Sequence, residues 1–113
     1  MQIISPKELQ SKIKENEVII LDVRAKEKYE QNHISDSNVH SINIPKTSIF
    51  ELDNHNVETL AALPKNKEII VTCTTGNSAR KCASILADKA YQVTLLEGGI
   101  TAWNEYKEAN DNK

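Results

Sequence analysis

Apolar residues along the chain come in short runs whose period changes from segment to segment. Residues 17–23 read Glu-Val-Ile-Ile-Leu-Asp-Val, apolar and β-branched, which predicts a buried strand. Residues 68–73 and 92–96 repeat that signature, and residues 41–44 form a shorter version closed by Pro45. Between these runs the spacing turns helical. Ala79, Cys82, Ala83, Leu86, Ala87 and Ala90 recur on one side of a helix predicted over 79–90. Ser5-Pro6-Lys7-Glu8 has a capping serine, a proline suited to the first helical position and a glutamate placed for a capping box. A helix is expected from there to about residue 15, with Leu9 and Ile13 on one face. Residues 25–31 and 57–63 read as helices, the latter stopping before Pro64. Residues 33–40 and Asp53-Asn54-His55-Asn56 read as polar turn or loop, and 74–78 as a turn. Gly98-Gly99 is a further turn, followed by a closing helix over 100–108.

Strands alternating with helices predict an α/β fold with a mainly parallel central sheet. With 113 residues there is room for one domain, expected over 1–109 with a polar C-terminal tail at 110–113. At 39% hydrophobic and 27% charged, the composition is that of a globular chain. Fourteen Lys and Arg against sixteen Asp and Glu leave a net charge of −2. That balance lacks the surplus cations that phosphate backbones attract, so neither nucleic acid nor an anionic membrane is expected as partner. The longest aliphatic run, Val18-Ile19-Ile20-Leu21, is far below the ~20 residues of a membrane span. No basic-then-apolar leader pattern opens the sequence, which makes a reducing cytoplasm the expected location. His33, His40 and His55 have no metal-ligand spacing to Cys73 or Cys82, so no metal is expected.

The chemistry concentrates where the strand 68–73 ends. Cys73 is followed by the small, uncharged Thr74-Thr75-Gly76-Asn77 and then by Ser78 and a helix. In an open α/β sheet, ligands bind beyond the carboxyl ends of the strands. A short loop entering a helix there points backbone N–H groups inward, and with the helix dipole they form an anion cradle. A cysteine at its floor is favoured as thiolate, the nucleophilic form. The alternative is a buried, inert cysteine capping a strand.

Three blocks, in order, resemble one known family. They are Val18-Ile19-Ile20-Leu21-Asp22-Val23-Arg24 with Tyr29, Asn32-His33-Ile34 and Ile42-Asn43-Ile44-Pro45; then Cys73-Thr74-Thr75-Gly76-Asn77-Ser78-Ala79-Arg80; then Leu96-Glu97-Gly98-Gly99-Ile100 with Trp103. Together they resemble the rhodanese (sulfurtransferase) family over residues 18 to 103. The resemblance implies a single rhodanese-like domain of three layers, the sheet flanked by helices. It implies that Cys73 is the nucleophile that takes a sulfane sulfur from thiosulfate, polysulfide or a protein persulfide. The sulfur is held as a persulfide and passed to cyanide, a thiol or an acceptor protein. Thr74, Thr75, Gly76, Asn77 and Ser78 are implied to supply the backbone donors around it. No cofactor and no metal are implied, and nothing demands more than a monomer.

The chain departs from the family pattern at several positions. Asp36-Ser37-Asn38-Val39-His40 lengthens the segment before Pro45 by about four residues, a change expected at the pocket rim. Asn32 replaces the usual glycine before the histidine, and Lys28 a glutamate before Tyr29. Thr74 stands where many members carry a basic residue. A neutral loop exerts less Coulombic pull on a dianion, so weak thiosulfate activity and preference for another donor are expected. Arg80 is expected to face solvent, and Cys82 to pack in the core. Asp22 and Arg24 are expected to form a structural pair, and His33 to hydrogen bond structurally. Trp103 and Tyr106 read as packing residues. Two other classes remain: a cysteine phosphatase or arsenate reductase, and a catalytically silent interaction module. The former is associated with Cys, five residues and Arg, and here Arg80 comes one position late.

Overall fold

Ser5 caps a helix as its surroundings anticipate. In the computed structural model, which describes residues 1–51 and 57–111, the Glu8 N–H donates to the Ser5 hydroxyl at 3.1 Å. The Ser5 N–H donates to the Glu8 carboxylate at 3.3 Å, closing the capping box. The elements run β1 (Gln2–Ile4), α1 (Pro6–Glu15), β2 (Val18–Asp22), α2 (Lys26–Gln31), β3 (Val39–Asn43) and α3 (Lys46–Phe50). A 3₁₀ turn (Val57–Leu60), β4 (Glu68–Thr72), α4 (Asn77–Asp88), β5 (Gln92–Leu96) and α5 (Gly99–Asp111) complete the chain.

The five strands form one wholly parallel sheet in the order β1-β5-β4-β2-β3. Because successive strand residues point to opposite faces, β2 and β4 feed two cores. Leu21, Val23, Ile69 and Val71 pack with Ile49 of α3 and with Ala79, Cys82, Ala83 and Leu86 of α4. Ile20 and Ile70 pack on the other face with Leu9 and Ile13 of α1 and Ile100 and Trp103 of α5. Each fully buried Leu or Ile contributes ~1.5–3 kcal/mol, so both helical layers are held by the same strands. The result is the α/β architecture with a parallel sheet anticipated from the alternation of elements, in the three layers that the resemblance implies.

Several boundaries differ from the sequence reading. β1 has no local signature; Ile3 is exposed, and the strand exists through its pairing with Thr94, Leu95 and Leu96. β3 begins at Val39 because Val18 and Ile19 pair with Val39 and His40. The segment over 57–63 closes as a 3₁₀ turn, with Ala61 N–H donating to Glu58 O and Leu63 N–H to Leu60 O. α4 starts at Asn77, inside the segment read as a turn. α5 runs on to Asp111, so the polar tail read at 110–113 begins as helix. Asn110 Nδ2 donates to Tyr106 O, and Lys107 Nζ donates to Gln10 of α1. The loop read over residues 53–56 lies outside the described residues.

Candidate active site

β2 and β4 are neighbours whose outgoing connections diverge, one toward β3 and the other toward β5. The crevice at such a switch point is where open parallel sheets bind ligands. A cavity of about 300 Å³ lies there, with Val23 just past β2 and Cys73 just past β4 on its wall. Thr74, Thr75 and Ser78 close one side; Arg24, Lys28 and Lys46 stand on the other.

Gly76 holds the N-cap position of α4 at φ +106°, a conformation that suits glycine alone, and it offers no side chain to the helix's unpaired N–H groups. Cys73 Sγ takes that role. It accepts the N–H of Gly76 at 3.0 Å and that of Ala79 at 3.3 Å, so the sulfur caps the helix from behind the loop. That is why α4 begins earlier than its apolar spacing indicates. Cys73 is 5% exposed, and what exposure it has opens on the cavity. Two N–H donors and the positive end of a 12-residue helix suit a negatively charged sulfur.

α5 fixes the other side of the loop. Its first N–H groups, from Ile100 and Thr101, donate to Cys73 O at 2.8 Å and Thr74 O at 3.0 Å. This approach requires Gly99, at φ +62°, because a Cβ there would lie 2.4 Å from Cys73 O. The third sequence block therefore packs directly on the second.

On the opposite wall, Arg24 donates through Nε and Nη2 to the carboxylate of Asp22, which is buried, and through Nη2 to Asn32 O. Asn43 Nδ2 donates to the carbonyls of Asp22 and Arg24, both at 3.0 Å. The expected structural pair is present, and it sets the path of the chain leaving β2. Lys46 is anchored by its N–H to Val23 O at 2.9 Å, and its Nζ donates to Ser78 Oγ at 3.3 Å across the cavity. Among the described residues, no carboxylate pairs with Lys28 or Lys46. Burial, then the neighbouring Cys73, push the Cys82 thiol up to about 11, with Lys46 pulling the other way.

The structure thus brings Cys73, Thr74, Thr75 and Ser78 to one cavity, with Gly76 donating to the sulfur. Asn77 is exposed and stands outside the cavity lining. Ala79, the second donor to Sγ, was missed because its side chain reads only as core. Lys28 and Lys46 were also missed, since each lies far from Cys73 in sequence; Lys46 following Pro45 at a strand end was the available signal. Arg80 lies outside the cavity, exposed beside Phe50 and Ile85. His33 stacks on Tyr29 at 4.0 Å, and its Nδ1 bonds Tyr29 O. The lengthened segment before Pro45 folds as an Asp36 turn feeding the amino end of β3, and Asn38 Nδ2 donates to Ile13 O. It lies at the end of the sheet opposite the cavity, correcting the expectation that it shapes the rim.

A rhodanese-like domain model matches residues 5–106. The chain is 30% identical over 102 residues to a thiosulfate sulfurtransferase GlpE of Pseudomonas savastanoi pv. phaseolicola, covering 88% of this chain and 84% of that protein. It is 32% identical over 92 residues to the adenylyltransferase and sulfurtransferase uba4 of Ogataea parapolymorpha, covering 80% of this chain and 21% of that one. Among solved structures, a rhodanese-like domain protein from Staphylococcus aureus superposes with a TM-score of 0.76 at 27% identity over 91% of each chain. A rhodanese-related protein from Thermoplasma volcanium gives 0.74 at 27% identity, covering 94% of this chain and 93% of that one.

Proposed function

Because the chain belongs to the rhodanese-like domain family, we propose that it is a sulfurtransferase that carries a sulfane sulfur as a persulfide on Cys73. The observation that carries this reading is the placement of Sγ. It sits on a cavity wall at the carboxyl end of β4, accepting two backbone N–H groups at the head of α4. The cavity, about 300 Å³, is at the small end of the ~300–1,000 Å³ typical of small-molecule sites, which suits a compact inorganic donor or the tip of a thiol.

In the first half-reaction the Cys73 thiolate attacks the outer sulfur of a donor such as thiosulfate. The Sγ–S bond forms as the donor's S–S bond breaks, and sulfite leaves with the electron pair; total charge is unchanged. In the second, cyanide or a thiolate attacks the terminal sulfur and the Cys73 thiolate departs. Negative charge stays on sulfur throughout, and fixed N–H donors stabilise it without reorganising. Gly76 and Ala79 hold Sγ, while the backbone of Thr74, Thr75, Asn77 and Ser78 surrounds the transferred sulfur. An activated thiolate needs no separate base, which agrees with His33 being engaged with Tyr29. The phosphatase alternative lacks the loop guanidinium, since Arg80 stands outside the cavity and Arg24, which lines it, is paired with Asp22.

The test is to incubate reduced protein with thiosulfate, polysulfide and a protein persulfide in turn. Intact mass and thiocyanate formed with cyanide are the readouts. A one-sulfur adduct at Cys73, absent in Cys73→Ser, and thiocyanate turnover are expected. No adduct from any donor would leave a binding module; turnover of an aryl phosphate would indicate a phosphatase.

A further inference from the structure

The neutral loop counted from the sequence is only one wall of the cavity. The facing wall carries three cations, Arg24, Lys28 and Lys46, and among the described residues no carboxylate lines the cavity. Arg24 is already neutralised by Asp22. Lys28 and Lys46 have no carboxylate partner among the described residues, so their charge acts on whatever enters. Lys46 is the better placed. Its backbone is tied to Val23 O, and its ammonium reaches across to Ser78, the second residue of α4. Among the described residues a neutral hydroxyl alone holds it there, at 3.3 Å, a contact that an anion's oxygen can replace. Its field extends beyond the loop, since it acts on Cys82 in the core behind.

Resting on the sulfur-transfer reading above, we infer that Lys46, seconded by Lys28, selects sulfane-sulfur donors bearing a doubly negative oxyanion, such as thiosulfate, over singly charged donors. Cys73 Sγ, held from behind by the N–H groups of Gly76 and Ala79, lines the cavity, and Lys46 lines it too. A donor whose outer sulfur meets Sγ places its sulfonate oxygens toward Lys46 and Ser78. Attraction scales with the donor's charge, and the departing sulfite keeps both charges, so the same ammonium holds donor and leaving group. The positive charge absent at Thr74 is supplied from α2 and α3. This reverses the expectation of weak thiosulfate use.

The experiment compares thiosulfate with methanethiosulfonate, which transfers the same outer sulfur but carries one negative charge. For Lys46→Met, kcat/KM for thiosulfate is expected to fall about 10- to 100-fold, the range of one charge-assisted hydrogen bond, chiefly through KM. The fall for methanethiosulfonate should be several-fold smaller. Lys46→Arg should restore most of the thiosulfate activity, and added salt should narrow the gap between wild type and Lys46→Met. Equal falls for both donors in a folded Lys46→Met protein would assign Lys46 to holding Ser78 alone; an unchanged thiosulfate KM would remove it from the site. If wild-type protein transfers sulfur from neither donor, polysulfide and a protein persulfide decide the sulfur-transfer reading by itself. The inference is then judged by calorimetric titration of thiosulfate into Cys73→Ser: binding that Lys46→Met weakens at least tenfold upholds the anion site, and binding that is absent or unchanged overturns it.

Discussion

Cys73 and Cys82 are both buried thiols, yet they face different atoms. Cys73 Sγ meets two N–H donors and a cavity, whereas Cys82 is fully enclosed on the inner side of α4, where burial and then Cys73 push its thiol up to about 11. Alkylation needs the thiolate and access, so iodoacetamide at about pH 8 is expected to label folded protein once, at Cys73. In denaturant both cysteines should react. Two adducts on folded protein would contradict the assignment of Cys82 to the core. Asp22 makes a parallel case among charged residues: it is 1% exposed and bound to Arg24. Removing one partner of a buried pair strands the other charge at a cost of about 3–5 kcal/mol. Asp22→Ala is therefore expected to lose about that much in a urea titration, and Asp22→Ala with Arg24→Met less than the sum of the single losses. Strictly additive losses would show that the two side chains do not support each other.

Between elements, the decisive contact is the head of α5 on the loop after β4. A Cβ on Gly99 would lie 2.4 Å from Cys73 O and 2.7 Å from Thr74 O, both backbone atoms that cannot swing aside. A Cβ on Gly98 would lie 2.5 Å from Ala102 Cβ, a clash with α5 itself and away from the carbonyls of Cys73 and Thr74. Overpacking and a left-handed backbone together give an expected loss of about 3 kcal/mol for Gly99→Ala. Transfer should fall further in Gly99→Ala than in Gly98→Ala, because only the former displaces the carbonyls behind Cys73. Urea titration with thiocyanate assays checks both, and equal transfer in the two variants would show that α5 does not govern the loop. This contact also explains what was readable from sequence. The α1 capping box and the β2, β4 and β5 runs are written in adjacent residues, so local pattern revealed them. β1 depends on Leu96 and its neighbours, and the start of α4 depends on a sulfur atom capping it; neither has a local sign. Cys73 was legible from strand, loop and helix in succession. Lys46 was not, because only the sheet order places it opposite Ser78.

At the scale of the molecule, the parallel sheet separates two polar ends. The carboxyl ends of the strands hold the cavity, and the amino end of β4 holds Glu68, which accepts from Lys12 of α1 and from Thr94 of β5. Glu68 thus links a helix and two strands at the end away from Cys73. Burial alone would push its carboxyl up, but Lys12 and Thr94 together outweigh it and leave the group below its ordinary 4.5. A carboxylate more acidic in the folded chain than in the unfolded one stabilises the fold above its unfolded value. That contribution fades as pH falls through the lowered folded value. Wild-type thermal midpoints should therefore drop as pH is lowered beneath about 4.5, with Glu68 one of the contributors. Glu68→Gln keeps the shape but cannot titrate, so its midpoint at neutral pH should be modestly lower and its decline below that point shallower. Thiocyanate formation at neutral pH should match wild type, since the substituted group lies at the opposite end of the sheet. An unchanged acid slope in Glu68→Gln would mean that this cluster does not couple protonation to folding. A loss of transfer with the midpoint preserved would mean that the two ends of the sheet are not independent.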